Sequence, residues 1–351
     1  MEAPFIDRLL PAPLDGGFRM KDYWVWCGSV VRADKPGEDG RYHMFASRWS
    51  RALSFSGHWI TNSEIVRASS DTPEGPYRFE EVVLPWRHRR YFDGLSTHNP
   101  SIKKFDGKYY LYYIGLTYDF DIPTPERQIH EGKYQEHKEL YRIAWRNKRV
   151  GLAVADSVTG PWRRPTRPLL EPRPGQWDAL ITSNPSAAIR DDGHTVLIYK
   201  STSGWDQPLH LGIATAPHPE GPYTRVGDTP IFPYDVEDPF IWWEDGRYHV
   251  IMKDFKGELC GEPDAGAYAW SEDGLQWHLP ANPKAYSRTL HWRDGTTTTH
   301  GNFERPNLLI QNGHPTHLFA AISSGPEPHW KSDSTYNVCI PLRAEGNEST
   351  F

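Results

Sequence analysis

One phrase recurs five times along this chain of 351 residues, and it constrains the fold more than any other feature. A turn written Asp-Gly or Asn-Gly is followed by an aromatic or β-branched run. The copies are DGRYHMFAS (39–47), DGKYYLYYI (106–114), DGHTVLIYK (192–200), DGRYHVIMK (245–253) and NGHPTHLFA (312–320). Asp-Gly and Asn-Gly are strong hairpin signals, because a type I′ turn needs positive φ at both central residues. Ahead of each turn lies another apolar stretch: SVVRA (29–33), PSIKKF (100–105), PSAAIR (185–190), PFIWWE (239–244) and PNLLIQ (306–311). A third strand follows, closed in three copies by Gly-Pro-aromatic, as in SEIVRASSDTPEGPYRF (63–79), VGLAVADSVTGPWRR (150–164) and LGIATAPHPEGPYTR (212–225). Five such units arranged radially predict an all-β chain: a five-bladed β-propeller with four-stranded antiparallel blades. A β-sandwich has as many strands but does not require the phrase to repeat as a unit. The expectation is one catalytic domain over residues 1–351.

Composition agrees with many short strands and loops: 15 Trp, 18 Tyr, 31 Pro and 29 Gly. A formal charge of -6 argues against a nucleic-acid partner, since phosphate binding calls for surplus Lys and Arg. No apolar run approaches the roughly 18 residues that would read as a membrane span. Cys27, Cys260 and Cys339 are odd in number and widely spaced, which suits neither a zinc knuckle nor a disulfide framework. The opening residues carry no basic segment followed by an apolar core, so the chain as written reads as cytoplasmic, or as periplasmic or secreted if a leader was removed. The stretch 117–149 interrupts the second blade as a polar insertion. Its later part has Tyr134, His137, Leu140 and Tyr141 at helical spacing. It reads as a solvated flap, a lid or a contact for a homo-oligomer.

Five short motifs precede the inner strands: WVWCGS (24–29), STHNPS (96–101), TSNPSA (182–187), VEDPFI (236–241) and FERPNL (303–308). Proline fixes φ and biases the residue before it, so the polar groups beside it are presented rigidly. In a propeller these starts converge, which gathers His98, Asn99, Asn184, Glu237, Asp238, Glu304 and Arg305 near one axis. Glycoside hydrolysis needs such a set: one carboxyl protonated, another ionised, their pKa values pushed apart by proximity. Asp238 and Glu304 are the candidate catalytic carboxyls, and Trp24 and Trp26 candidate stacking surfaces for a sugar ring. Lys200 and Lys253 occupy equivalent places seven residues after their turn glycines. Pointing inward, they would tune Asp238 or bind an anionic group on the substrate.

The blade phrase together with the EDP and ERP motifs resembles the five-bladed propeller glycosidases of glycoside hydrolase family 43, and the related family 117, over roughly residues 20 to 342. The resemblance implies an Asp base, a Glu acid and a second, tuning Asp. It matches Asp238 and Glu304 to family carboxylates, and a histidine near the glutamate makes His300 a candidate acid. The chain departs from the pattern where Cys27-Gly28 stands in place of the family 43 base aspartate, and where Asn99-Pro100 and Asn184-Pro185 stand in place of acids. Asp22, Asp93 and Asp178 compete for the third carboxylate, and Asp93, five residues before His98, is favoured. The implied activity is exo-acting hydrolysis of a terminal sugar from an oligosaccharide, with inversion, in a distinct branch that would serve polysaccharide degradation. A glycoside phosphorylase and a non-catalytic carbohydrate-binding propeller are the alternatives. No cofactor is expected; a channel ion such as calcium would suit a propeller, but no spacing calls for it.

Overall fold

A computed structural model describes residues 4–129 and 135–344. Blade 1 is β1 (Tyr23–Arg32), β2 (Tyr42–Ser50), β3 (Glu64–Ser70) and β4 (Arg78–Val82). Blade 2 is β5 (Ser96–Phe105), β6 (Lys108–Leu116) and β7 (Arg149–Ala155). Blade 3 is β8 (Ser183–Ile189), β9 (Thr195–Ser201), β10 (His210–Ala216) and β11 (Thr224–Val226). Blade 4 is β12 (Val236–Glu244), β13 (Arg247–Asp254), β14 (Ala265–Ser271) and β15 (Lys284–Tyr286). A small hairpin, β16 (Thr289–His291) with β17 (Thr297–Thr299), leads into blade 5: β18 (Phe303–Gln311), β19 (His314–Ser323) and β20 (Thr335–Pro341). All pairings within the blades are antiparallel, and the first strands β1, β5, β8, β12 and β18 neighbour one another around the axis. The five-bladed propeller is therefore the fold. Blades 2 and 5 have three regular strands, and isolated bridges meet their outer edges: Val150 to Leu170 and Val154 to Arg163 in blade 2, Leu9 to Leu342 and Phe18 to Asn337 in blade 5.

The local chemistry explains the hairpins. Asp106-Gly107, Asp245-Gly246 and Asn312-Gly313 have positive φ at both residues, as type I′ geometry requires. In the looser first and third copies only Gly40 and Gly193 do. Blades stack face to face, so both faces of a strand are buried and the sequence runs apolar without a break. In β6, Tyr109, Leu111 and Tyr113 enter the cluster shared with blade 1, while Tyr110 and Tyr112 enter the cluster shared with blade 3. Similar apolar clusters fill the other three blade junctions.

Residues ahead of β1 close the ring, a feature absent from the sequence reading. Phe18 and Asn337 exchange both backbone hydrogen bonds, at 3.0 and 2.9 Å, so the N-terminal segment forms the outer edge of the last blade. Gly17 holds φ at +75° there, and a Cβ on it would lie 1.9 Å from the Asn337 carbonyl oxygen. Gly17→Ala is expected to cost more than about 1 kcal/mol, read as a lower urea midpoint. An unchanged midpoint would show that this closure carries no stability.

Between β6 and β7 the chain forms helix α2 (Gln135–Arg146), which packs against a short segment, α1 (Phe55–Thr61), broken at Ser56 and Gly57. Tyr134 lies outside the described residues. The helix does not lie as a free flap, because Tyr141 and Ala144 are buried in a cluster with Ile60, Leu95 and Ile114. No helix among the described residues is long and apolar enough to cross a membrane.

Candidate active site

Each first strand carries the same irregularity. The register slips by one residue after Trp26, His98, Ser183, Glu237 and Glu304, which is a β-bulge in every blade. The residue that follows has positive φ in all five: Cys27 (58°), Asn99 (50°), Asn184 (46°), Asp238 (56°) and Arg305 (57°). These left-handed positions, unusual for residues other than glycine, turn five side chains toward the axis. Proline comes next in four blades. Blade 1 has Gly28 instead, because a Cβ there would sit 2.2 Å from the Asn337 amide nitrogen.

The axial side chains bond to one another. Asn99 donates to Asn184 at 3.3 Å, and Asn184 donates to Asp238 Oδ1. Arg305 gives Asp238 two more bonds, from Nη1 at 3.1 Å and from its backbone N–H at 3.0 Å. Burial and the neighbouring Glu237 charge push the Asp238 pKa up, against the pull of Arg305. Cys27 donates to the Pro100 carbonyl at 3.3 Å and accepts from Asn307, and burial pushes its thiol pKa up. The base-aspartate position of the resembled family is thus a buried thiol, not an ionised group.

One residue earlier in four of the five strands, Trp26, His98, Glu237 and Glu304 face a cavity of about 910 Å³ at the mouth of the channel. Trp26, His98, Asn99, Asn184, Lys200, Glu237, Asp238, Lys253, Glu304 and Arg305 all line it. Carboxylate oxygens of Glu237, Asp238 and Glu304 lie within 4.8 Å of one another. They are side by side on the adjacent blades 4 and 5. Strand pairing sets Lys253 opposite Glu237. The Lys253 amine lies 2.8 Å from Glu304, 3.2 Å from Asp264 and 3.7 Å from Glu237, while Lys200 bonds the other oxygen of Glu237. Burial raises the Glu237 pKa, but Lys200 and Lys253 outweigh it and bring the carboxyl down to about 2. Glu304 feels the same burial and is lowered chiefly by Lys253, with Glu237 opposing. Its Oε1 accepts from Lys253 and from Asn302 at 2.7 Å, and no bond holds Oε2 among the described residues.

The carboxylate trio is close enough to hold an ion, yet its residues do not fit one. Lys200, Lys253 and Arg305 already supply the positive charge and engage every carboxylate oxygen of the trio except Glu304 Oε2.

Three sequence candidates fall outside the cavity. Asp93 is buried beneath Arg87 at 2.7 Å, Tyr113 at 2.7 Å and Arg164 at 3.5 Å, a clamp that fixes the loop entering blade 2. Its rival Asp178 is held in the same manner by Arg173, Arg225 and Tyr199. Both acids are therefore repeats of one structural device, and the expectation for Asp93 as third catalytic carboxylate gives way to it. His300 has both ring nitrogens engaged at 2.8 Å, by the Ser323 carbonyl and Thr298 hydroxyl. Trp24 turns its indole N–H to the Leu53 carbonyl at 2.9 Å and packs on Phe55, so it supports the wall without lining it.

The wall also contains residues that the repeats did not reveal: Phe55 and Trp59 from α1, Tyr141 and Trp145 from α2, Lys148, and His329. His329 stacks near Phe55 with ring centroids 4.2 Å apart, and its buried Nδ1 has no partner among the described residues. Burial lowers its pKa, while Glu304 raises it. This, and not His300, is the histidine beside the glutamate. Only its place in a Pro-rich loop, PEPHW (326–330), marks it in the sequence.

Solved structures share this architecture from end to end. Zg3597, a family 117 glycoside hydrolase of Zobellia galactanivorans, superposes with a TM-score of 0.65 at 15% identity, over 95% of this chain and 89% of its own. A thermostable family-43 glycoside hydrolase gives 0.58 at 14%, covering 96% and 94%. The catalytic domain of the Coprinopsis cinerea family 62 α-L-arabinofuranosidase gives 0.59 at 13%, covering 97% and 98%. The fold is that of the five-bladed propeller glycoside hydrolases. No family model and no curated relative matches the sequence. The chain's channel mouth is rich in carboxylates, and Cys27, Asn99 and Asn184 stand at three of the five axial positions.

Proposed function

We propose that this protein is an exo-acting glycoside hydrolase that removes a terminal sugar from an oligosaccharide. The carrying observation is the pairing of two unlike glutamates at the floor of an aromatic-walled cavity. Glu237, gripped by two lysines, is the permanently ionised partner that meets positive charge developing at the anomeric carbon. Glu304 shares one lysine, which holds its carboxyl below the usual range against the opposing charge of Glu237, and its Oε2 has no bond among the described residues. It is the carboxyl that exchanges a proton with the glycosidic oxygen. Asp238, with three donors on its two oxygens, is a positioning residue. The walls from α1 and α2 make a pocket on one side, which supports exo action, and Trp330 at the rim, 59% exposed, offers a platform for the next sugar.

The spacing bears on stereochemistry. Carboxyls about 5–5.5 Å apart serve retention, and about 6.5–9.5 Å leave room for the water used in inversion. Inversion, which the resemblance implies, is the expected outcome. A screen of aryl glycosides and natural oligosaccharides, followed by NMR of the first anomer released, tests both activity and stereochemistry. Turnover with net inversion is expected. Turnover with retention would make Glu237 the attacking nucleophile, and no turnover in the whole screen would remove the hydrolase reading in favour of a binding propeller.

A further inference from the structure

We infer that Lys148, at the entry to β7, forms an anion subsite in the cavity that selects sugars bearing a carboxylate or sulfate group. The inference rests on the glycosidase reading for its ligand class, but its site is separate from Glu304.

The sequence offered Lys200 and Lys253 for this task. Both are already neutralised, by Glu237 and by Glu304 with Asp264, and Arg305 is neutralised by Asp238. Lys148 differs. Its side chain is 1% exposed and lines the cavity, yet no carboxylate pairs with its amine among the described residues. The amine rests on the face of Trp145, 3.6 Å from the ring centroid, and 5.5 Å from that of Trp59. Burial and the nearby Lys200 push its pKa well down, only partly offset by Glu237 and Asp238. Arg288 also lines the cavity without a carboxylate partner among the described residues, but unlike Lys148 its side chain is only partly buried.

A buried ammonium without a counterion is costly, and the cost is relieved when an anion arrives. His98 adds a second polar group to this wall. Its Nδ1 lies 2.8 Å from the Ser63 hydroxyl, which leaves Nε2 without a partner among the described residues. Trp59 and Trp145 supply the apolar surface that a sugar ring covers while its charged substituent meets the amine.

The test is calorimetric binding of glucuronate, galacturonate and galactose 6-sulfate against glucose and galactose, at constant ionic strength. Wild type, Lys148→Met and Glu304→Gln are compared. Wild type and Glu304→Gln are expected to bind at least one acidic sugar about ten- to a hundredfold more tightly than its neutral parent, and Lys148→Met to lose that difference. Which acidic sugar is preferred separates carboxylate from sulfate. Lys148→Met is also expected to melt no lower than wild type, because it removes an unpaired buried charge; a lysine with a purely structural role would lower the melting temperature. Lys148→Gln serves as a second variant with the same expected loss. Equal or absent binding of acidic and neutral sugars overturns the inference, as does a preference that survives both substitutions. Turnover that depends on inorganic phosphate overturns it too, by making the subsite phosphorolytic. Failure of the hydrolase reading appears separately, as acid-selective binding without turnover.

Discussion

Glu304→Gln is expected to lower kcat on a poor leaving group by about a hundred- to ten-thousandfold while sugar binding persists. Glutamine keeps the size of the side chain and can still accept from Lys253 and Asn302 at its carbonyl oxygen, so the floor of the cavity stays in place. What disappears is the proton that Oε2 gives to the departing oxygen. The loss should therefore shrink on a 2,4-dinitrophenyl glycoside, whose leaving group needs little protonation, and grow on a natural linkage. Azide should partly restore turnover to Glu304→Ala, which has space for a small external nucleophile. Equal loss on activated and natural substrates, without azide rescue, would make Glu304 a packing residue and end its catalytic assignment. Loss of binding in parallel with turnover would do the same.

Arg305→Met is expected to cost about 3–5 kcal/mol of folding stability, the range found when one partner of a buried ion pair is removed. Arg305 is 2% exposed and sits on the axis, where its guanidinium and its backbone N–H both serve Asp238. Methionine leaves the Asp238 charge with Asn184 as its side-chain donor, in a site where burial already opposes ionisation. The double variant Arg305→Met with Asp238→Asn removes both charges and should recover much of the loss. Urea denaturation of the wild type, both single variants and the double variant forms a complete cycle. A single-variant cost below about 0.5 kcal/mol, the range of ordinary surface changes, would show that the axial pair does not hold the channel together.

The axial arrangement also explains why this site differs from the pattern it resembles. Five left-handed bulges point inward whatever residues occupy them, so the backbone supplies positions and the side chains supply chemistry. At Cys27, Asn99 and Asn184 those side chains are neutral, and the negative charge is concentrated in blades 4 and 5. The proposed catalytic pair therefore lies on adjacent blades, where lysines from β9 and β13 set Glu237 and Glu304 apart.

The sequence alone determined the blade count, the inner-strand motifs and most of the channel mouth, because these depend on local chemistry. Asp106-Gly107 turns the chain by its own conformational preference, and the residue pairs before Pro100, Pro185, Pro239 and Pro306 mark the bulges directly. Five repetitions of a local signal then specify a closed ring. Only the tertiary structure decided what each polar group meets. Asp93 looked like a catalytic acid until Arg87, Arg164 and Tyr113 were seen to fold over it, and Lys200 and Lys253 looked available until Glu237 and Glu304 claimed them. His329 and Lys148 lie in segments without a repeat, so no pattern could assign them to the cavity. The charge and reactivity of a side chain depend on neighbours remote along the chain, and folding is what brings those neighbours within reach.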